Sequence, residues 1–282
     1  MDLVAPRRSG HDPLAVGVDK KGSSTGAGTM MLPATVPGVP LYLSAHYWWA
    51  YIHPAAVKLF ERQWLVNLIL WGNYLRLREA VFAELDGSFA GRTLQVGCVY
   101  GDLTTRLNDF IAEKGGLLDV IDVLPIQLAN LRAKLPKDGP ARLLAMESAN
   151  LQLPDAEYDQ ALVFFLLHEQ PRRYREQTMR ELCRVVRPGG KIIVVDYALP
   201  RWWQPLRYLW RPLLAALEPF ALDLWCEEIV TCLPRSGAAR VRKESFFGGL
   251  YQKVVITRRH AACSGDPASA RARDFVIPDA RI

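Results

Sequence analysis

The sequence lacks the features of a secreted or membrane-spanning protein. Its five cysteines, an odd number for a disulfide framework, include no C-x-x-C pair, which favours a reducing compartment. The start, Met1 to Arg8, continues into polar, Gly-rich sequence, so no secretory signal is predicted. Four prolines interrupt the longest uncharged stretch, between Lys21 and Lys58. A spanning helix needs about 20 continuous apolar residues, so we expect a cytoplasmic protein.

The chain also lacks a long basic run. Its 35 lysines and arginines against 29 acidic residues give a net charge of +6, a mild excess that favours anionic surfaces without choosing between lipid and nucleic acid. The pairs Arg172-Arg173 and Arg258-Arg259 are isolated from one another, as charges on a solvated face often are, so we expect no nucleic-acid partner. Half of the 282 residues are hydrophobic, which excludes a mainly disordered chain.

Tryptophan is absent between residues 72 and 201 and is concentrated on both sides of that interval. Within it, short apolar runs alternate with amphipathic ones, a pattern typical of strand and helix units in a parallel sheet. The predicted strands are Thr93–Val96, Leu117–Ile121, Arg142–Met146, Ala161–Leu166 and Ile192–Val195, and the predicted helices are 102–113, 125–135 and 172–186. Residues 187–190 (RPGG) predict a helix stop, and residues 239–247 and 250–257, joined by Gly248-Gly249, predict an antiparallel hairpin.

These patterns predict a division of the chain into six segments. They are a flexible leader at 1–40, a helical lid or substrate segment at 41–89, a strand-and-helix core at 90–200, an aromatic lid or membrane-contact insertion at 201–230, the end of the sheet at 231–259 and a mobile tail at 260–282. The leader is assigned on its Gly, Ser and Pro content.

A glycine loop follows the first predicted strand. Gly97 and Gly101 lie in the sequence LQVGCVYGDLT, where a strand leads into a helix and the backbone can approach a nucleotide closely. Asp122 closes the second strand about twenty residues later, as expected of a carboxylate that accepts hydrogen bonds from ribose hydroxyls. An ordinary strand-to-helix turn with a surface Asp is the alternative, but the combination favours a nucleoside cofactor.

The order of several motifs resembles the class I S-adenosylmethionine-dependent methyltransferases. The motifs are VGCxxGDLT, the Asp that closes the second strand, Leu153-Pro154 with Tyr158-Asp159, and VVRPGGK. The ubiquinone and menaquinone methyltransferases are the most similar subgroup, over residues 90–258. The resemblance implies an α/β, Rossmann-like fold with a mostly parallel seven-stranded sheet and an antiparallel terminal hairpin. It also implies S-adenosylmethionine contacts from Gln95, Gly97, Cys98, Val99, Gly101, Asp122, Glu147 and Ser148.

Three residues depart from that family pattern. Gln95 stands where the family usually has an acidic residue, Val99 stands where it has a third glycine, and Tyr100 replaces a small residue. A neutral side chain near the methionine end would let the cofactor's α-amine deprotonate more readily. Val99 and Tyr100 are expected to crowd the loop and to shift how the cofactor sits. The departures therefore argue against simple methyl transfer.

The altered loop, together with the aromatic segments, is similar to the rhodoquinone-biosynthesis proteins, methyltransferase-like enzymes of bacteria that respire anaerobically. This resemblance implies the conversion of ubiquinone into rhodoquinone, with S-adenosylmethionine as the amino donor to the ring and Mn²⁺ assisting. A quinone methyltransferase and a non-catalytic quinone-binding scaffold remain the alternatives. The sequence does not decide the oligomeric state.

The predicted catalytic residues are His168, Tyr100 and Asp196, and the predicted Mn²⁺ ligands are His168, Glu169 and Asp196. Mn²⁺ prefers oxygen and imidazole ligands, and residues at the carboxyl ends of parallel strands face a common crevice. His168 could instead cap the turn that follows the strand. For Cys98, which has no paired base in the sequence, a small buried thiol is favoured over a nucleophile.

The two Trp-rich segments predict an apolar surface. Residues 41–51 and 64–77 offer aromatic and aliphatic side chains, and residues 201–225 combine Trp and Leu with Arg201, Arg207 and Arg211, as an interfacial helix does. They could equally form a lid packed on the sheet. We expect a lid that also contacts the membrane, so that the protein is peripheral at the inner face of the cytoplasmic membrane.

Overall fold

The computed structural model describes residues 39–47, 54–85, 91–218, 220–234 and 239–259, all within the unit formed by residues 33–282. The predicted tail at 260–282 and all but the last two residues of the predicted leader lie outside the described residues, as do Trp48 and Trp49. The division into six segments stays a prediction. None of the described helices is long and apolar enough to span a bilayer.

Helices alternate with strands through most of the described chain. The helices are α1 (Leu41–His46), α2 (Pro54–Phe60), α3 (Gln63–Ile69), α4 (Tyr74–Leu85), α5 (Leu103–Glu113), α6 (Pro125–Lys134), α7 (Arg172–Val185), α8 (Leu206–Leu217) and α9 (Ala221–Cys226). The strands are β1 (Arg92–Val96), β2 (Leu117–Asp122), β3 (Ala141–Ala145), β4 (Tyr158–Phe164), β5 (Val186–Tyr197), β6 (Ala239–Phe246) and β7 (Tyr251–Arg258). Short 3₁₀ turns cover Leu167–Glu169, Ile229–Cys232 and Phe247–Gly249.

The seven strands form one sheet in the order β3-β2-β1-β4-β5-β7-β6. The first five strands are parallel, and β7 runs antiparallel to both of its neighbours, β5 and β6. The predicted Rossmann-like fold, a mostly parallel sheet with an antiparallel terminal hairpin, is therefore confirmed. The order reverses direction at β1 and β4, and in such sheets ligands bind at the carboxyl ends of the strands beside the reversal.

The predicted start of the fifth strand is wrong. α7 ends at Val185, just before the RPGG sequence that predicts a helix stop, but residues 187–190 already belong to β5, which begins at Val186 and not at Ile192. The pairing of β4 with β5 shifts register between Tyr158 and Gln160, so the extra residues form a bulge. Gly190 fits there because a Cβ would lie 2.5 Å from the Asp159 carbonyl oxygen. Glycine at this position serves a close strand approach as well as the end of a helix.

Apolar side chains cover both faces of the sheet. Leu162 and Ile193 point towards α4 and α5, where they pack with Leu77 and Leu107. The alternate residues of the same strands point to the opposite face and pack against α7, which buries Met179 and Leu182. Because side chains alternate along a strand, each central strand supplies both layers. This packing fixes the carboxyl ends of β1, β2, β4 and β5, where the polar residues lie.

Candidate functional site

A cavity lies at the carboxyl ends of β1, β2 and β4. The glycine loop, the ends of these strands and the turn at Leu167–Glu169 line one side of it, while α1, α2 and α3 contribute Tyr42, Phe60 and Ile69. Among the predicted site residues, the lining includes Gly97, Cys98, Val99, Tyr100, Asp122, Glu147, Ser148, His168 and Glu169. The other three predicted site residues, Gln95, Gly101 and Asp196, do not line the cavity.

The glycine loop is tied to the helix that precedes the sheet. The Tyr74 hydroxyl accepts hydrogen bonds from the backbone N–H groups of Asp102 and Leu103 at 3.0 and 2.9 Å, and it donates one to the Asp102 carboxylate. It thereby caps the start of α5. Gly101 has a φ of +85°, and a Cβ there would lie 2.8 Å from the Tyr74 oxygen. Both the backbone conformation and the tyrosine therefore require glycine.

Asp122, at the end of β2, holds the glycine loop through the backbone of that loop. Its carboxylate accepts hydrogen bonds from the backbone N–H of Cys98 at 2.7 Å and of Leu124 at 2.8 Å. Burial raises the pKa of Asp122 above its usual range, and the N–H donors only partly offset that effect. Burial also raises the pKa of the Cys98 thiol, so Cys98 has the properties of a buried thiol. The carboxylate of Asp122 still borders the cavity.

Gln95 lies behind the loop, completely buried. Its Nε2 donates to the Gly97 carbonyl at 3.0 Å and to the Thr104 hydroxyl at 2.8 Å. Its Oε1 is a buried acceptor with no hydrogen-bond partner among the described residues. The Gln95 amide nitrogen thus donates to a carbonyl oxygen of the loop, and the uncharged amide oxygen lies beside it.

Glu147 and Ser148 follow β3 and border the cavity. The Ser148 hydroxyl is held between Thr178 at 3.0 Å and the Nε2 of Gln170 at 2.8 Å. Glu147 differs, because burial alone raises its pKa and its Oε1 is a buried acceptor without a partner in the described part of the chain. Such an orphaned acceptor is the kind of group that a bound donor satisfies.

Polar groups behind and beside His168 hold its ring. The Asp196 carboxylate accepts from the His168 Nδ1 at 2.9 Å and from the backbone N–H of Leu167 at 2.8 Å and of Tyr197 at 2.7 Å. The opposite ring nitrogen, Nε2, lies 3.5 Å from the Glu218 carboxylate and 3.8 Å from that of Glu169. Burial lowers the pKa of His168, but Asp196 and Glu218 outweigh burial and raise the pKa to about 9.

Mn²⁺ does not fit the predicted ligand set. Both carboxylate oxygens of Asp196 already accept hydrogen bonds from backbone N–H groups, and one also accepts from His168. In the described ranges, no group of three or more His, Cys, Asp or Glu side chains is placed to bind a metal ion. The set of His168, Glu169 and Asp196 is therefore not assembled, because Asp196 supports His168 from behind the cavity wall.

The cavity is rich in carboxyl groups. Its described lining includes Asp122, Glu147, Glu169 and Glu218, and no lysine or arginine is among the described residues that line it. Burial raises the pKa of Glu218 as it does that of Glu147. A low-dielectric site with several carboxyl groups favours a cationic ligand.

Sequence reasoning missed Glu218 and the aromatic wall around Phe165. The Phe165 ring lies 5.3 Å from Tyr197 and 6.0 Å from His168, measured between ring centres. Phe165 has a φ of +54°, a strained conformation for a bulky residue. Glu218 directly follows α8, and only the position of that helix brings its carboxylate to His168. No local sequence motif indicates either feature.

Comparison with known families agrees with the fold and the loop. Residues 94–194 match the family model described as a methyltransferase domain. The ubiquinone/menaquinone biosynthesis C-methyltransferase of Azotobacter vinelandii is 30% identical over 140 residues, which cover 48% of this chain and 54% of that protein. The corresponding enzyme of Pseudomonas fluorescens is 27% identical over 148 residues. The chain thus spans about half the length of these curated relatives.

Two longer similarities cover more of the chain. An uncharacterized methyltransferase of Synechocystis is 24% identical over 210 residues, covering 73% of this chain and 92% of that protein. Among solved structures, an S-adenosylmethionine-dependent methyltransferase of Aquifex aeolicus is 21% identical with a TM-score of 0.45, covering 72% of this chain and 97% of that one.

Proposed function

We propose that this chain, whose residues 94–194 match a methyltransferase domain, is a class I S-adenosylmethionine-dependent transferase related to the ubiquinone/menaquinone C-methyltransferases, and that it transfers an amine to a quinone. The proposed reaction converts ubiquinone into rhodoquinone at a membrane surface, with S-adenosylmethionine as the amino donor. The observation that carries the choice of amine over methyl transfer is Gln95, at the position where the family usually has an acid.

The cavity suits S-adenosylmethionine, which carries a sulfonium charge. Asp122, which closes β2 and lines the cavity, would accept hydrogen bonds from ribose hydroxyls in the proposed complex, and Glu147 offers a buried acceptor that has no partner among the described residues. The four carboxyl groups along the described lining favour a cation. These features support cofactor binding whichever group is transferred.

The environment of the loop supports amine transfer in particular. A carboxylate at residue 95 would stabilise a protonated α-amine, whereas the Gln95 amide carries no charge. Its Nε2 also occupies the carbonyl of Gly97, at 3.0 Å, which removes a second acceptor for an ammonium group. An amine in this setting loses its proton more readily and becomes a nucleophile.

The aromatic wall suits a flat quinone ring. Phe165 and Tyr197 line the cavity beside His168, and aromatic faces pack favourably against a planar conjugated ring. We place the ring there, between this wall and the glycine loop. The residues would then act by orienting the two reactants and by excluding water.

When bound, S-adenosylmethionine would supply the α-amine that replaces a ring methoxy group: a carbon–nitrogen bond would form, the ring carbon–oxygen bond would break and methanol would leave with one amine proton. The nitrogen would then still be bonded to the cofactor's Cα, and transfer of the Cα proton to the quinone followed by hydrolysis with water would break that bond, releasing the amine on the reduced quinone ring and the cofactor skeleton as its keto acid. Glu218 is placed to accept the amine proton. His168, whose pKa is raised to about 9, carries a proton at neutral pH and can donate it from Nε2 to the leaving methoxy oxygen. Asp196 holds the ring in the orientation that directs Nε2 into the cavity.

Mass spectrometry of the quinone product tests the proposal. The purified protein is incubated with ubiquinone and with S-adenosylmethionine labelled separately in its methyl carbon and in its amine nitrogen, with and without a manganese salt. We expect nitrogen label in the product and none from the methyl group. The Asp122→Ala variant, which we expect not to bind the cofactor, serves as the control.

Methyl transfer to a quinone is the second candidate, favoured by the similarity to C-methyltransferases. Methyl label in the product would establish that reaction and overturn amine transfer. Incorporation of neither label, together with no measurable affinity for S-adenosylmethionine, would instead favour a quinone-binding scaffold.

A further inference from the structure

The turn and helix around α3 expose large apolar side chains. Trp64 is 60% exposed and Leu68 is 64% exposed, and their spacing of four residues places them on one face of the helix. Ile69 and Trp71 extend the same exposed surface. These four residues form an apolar patch on the outside of the cavity wall, since Ile69 also lines the cavity.

A second exposed apolar segment precedes and includes α8. Trp202 is 76% exposed, and Trp203 beside it is also exposed. Along α8, exposed Leu209, Leu213 and Leu217 recur every four residues, so they form one stripe on the helix surface. The stripe lies next to the buried face of α8. Its leucines are exposed to solvent, although apolar side chains on a helix are normally covered by a packing partner.

The two segments adjoin through an edge-to-face contact of Trp71 with Trp210, 5.5 Å between ring centres. We call the combined surface the Trp–Arg face. It consists of the exposed apolar residues Trp64, Leu68, Ile69, Trp71, Trp202, Trp203, Tyr208, Leu209, Leu213 and Leu217, and of the arginines Arg62, Arg76, Arg201, Arg207 and Arg211.

The charge on this face has one sign. No acidic residue occurs between Glu61 and Glu79 or between Asp196 and Glu218, while those two intervals contain six arginines, of which all but the buried Arg78 belong to the face. None of these five arginines forms an ion pair within the described residues. Their charges are therefore available to an anionic partner.

We propose that the Trp–Arg face docks on a bilayer that contains anionic phospholipid. Tryptophan and leucine insert at the boundary between head groups and acyl chains, and arginines pair with head-group phosphates. A second copy of the chain is a poorer occupant, because a two-fold contact through this face would oppose arginines to arginines. An anionic bilayer can both bury the apolar side chains of this face and pair with its arginines.

The proposal also gives a route for the substrate, and this part rests on the proposed function. Ile69 belongs to the Trp–Arg face and lines the cavity, and its neighbours Val66 and Leu70 line the cavity too. Glu218, directly after α8, lines it from the other segment. A quinone with a long apolar tail would thus pass from the bilayer into the cavity between α3 and α8 without crossing water.

Vesicle flotation tests the docking. We expect the full chain to bind phosphatidylcholine vesicles that contain phosphatidylglycerol and to bind pure phosphatidylcholine much more weakly. The triple variant Arg201→Gln, Arg207→Gln, Arg211→Gln should weaken binding roughly 100-fold, about fivefold for each charge. A charge-matched control, Arg132→Gln, Arg173→Gln, Arg180→Gln, removes three exposed arginines outside the face and should bind like the wild type.

The apolar residues need a separate variant. Trp64→Gln with Trp202→Gln should weaken vesicle binding at least about tenfold and leave S-adenosylmethionine affinity and turnover of a short-tailed, water-soluble quinone unchanged. Equal binding of both arginine triples would overturn the proposal. So would a wild-type dimer in gel filtration that the tryptophan variant dissociates, since the face would then cover a second copy. Vesicle binding by a wild-type protein that transfers no amine to a quinone would contradict only the proposed function.

Discussion

His168 and Asp196 form a buried pair in which the ring Nδ1 lies 2.9 Å from the carboxylate Oδ1. The pair joins the turn after β4 to the end of β5, and it leaves the His168 Nε2 facing Glu218 in the cavity. A carboxylate that accepts a hydrogen bond from one ring nitrogen of a histidine sets the orientation of the ring and the protonation of the other nitrogen. In the proposed reaction, Asp196 is therefore a positioning residue and His168 is the acid.

Asp196→Asn should lower turnover about 100-fold, because the amide no longer fixes the ring or its charge. The S-adenosylmethionine affinity, measured by calorimetry, should change little, since Asp196 does not line the cavity. Asp159→Asn, at the other end of the sheet, is the matched control. An equal loss of turnover in both variants would contradict the assigned role.

The stability of the protein should depend on pH through His168. Its pKa rises from an ordinary 6.5 to about 9 in the folded state, so the charged ring stabilises the fold fully below pH 6.5. This contribution is lost as the pH rises through about 9. Urea unfolding across this range should show a falling free energy of unfolding, and His168→Gln should flatten the profile. If the free energy of unfolding of His168→Gln fell with pH as steeply as that of the wild type, His168 would not be the cause of the pH dependence.

Gln95→Asp should slow amine transfer at neutral pH by at least about tenfold, with recovery as the pH rises, because the new carboxylate stabilises the ammonium form of the cofactor's amine. Rates across pH, with product detected by mass spectrometry, measure this. Thr104→Val removes a partner of Gln95 without adding charge and serves as the control. Full amine transfer by Gln95→Asp at neutral pH would remove the argument for a neutral residue 95.

Asp122→Ala should abolish measurable S-adenosylmethionine binding, since it removes both the acceptor at the cavity and the anchor of Cys98 and Leu124. Calorimetric titration provides the readout, with exposed Asp109→Ala as the matched control. Thermal unfolding of the free protein separates loss of binding from loss of fold. Retention of wild-type affinity would contradict the assigned cofactor site.

Tyr74→Phe should lower the free energy of unfolding by about 1 to 3 kcal/mol, because the Asp102 and Leu103 N–H groups lose a buried acceptor. Cofactor affinity should fall as well, since the start of α5 holds the glycine loop. The exposed Tyr208→Phe, which loses only a 3.3 Å hydrogen bond to Trp202, should stay within about 0.5 kcal/mol of wild type. Urea denaturation compares them. Indistinguishable stabilities would show that the cap contributes nothing.

The sequence alone determined the sheet and its carboxyl-end crevice. Alternating and amphipathic patterns depend only on nearby residues, so they located all five parallel strands and the hairpin at residues 239–258. The same local logic put Asp122 at the end of β2 and on the cavity. It put the start of β5 at Ile192 instead of Val186, because Pro188 and the glycines that follow it are typical of a turn, and only the pairing with β4 shows that they form a bulge within the strand.

Tertiary structure decided the chemistry of the cavity wall. Gln95 and Asp196 were predicted as direct contacts, yet packing turns both away from the cavity, towards Thr104 and His168. Glu218 reaches His168 only through the placement of α8, and Trp71, two residues after α3, contacts Trp210 in α8. Such contacts join residues far apart in sequence. Their existence depends on how layers pack, which no local spacing encodes.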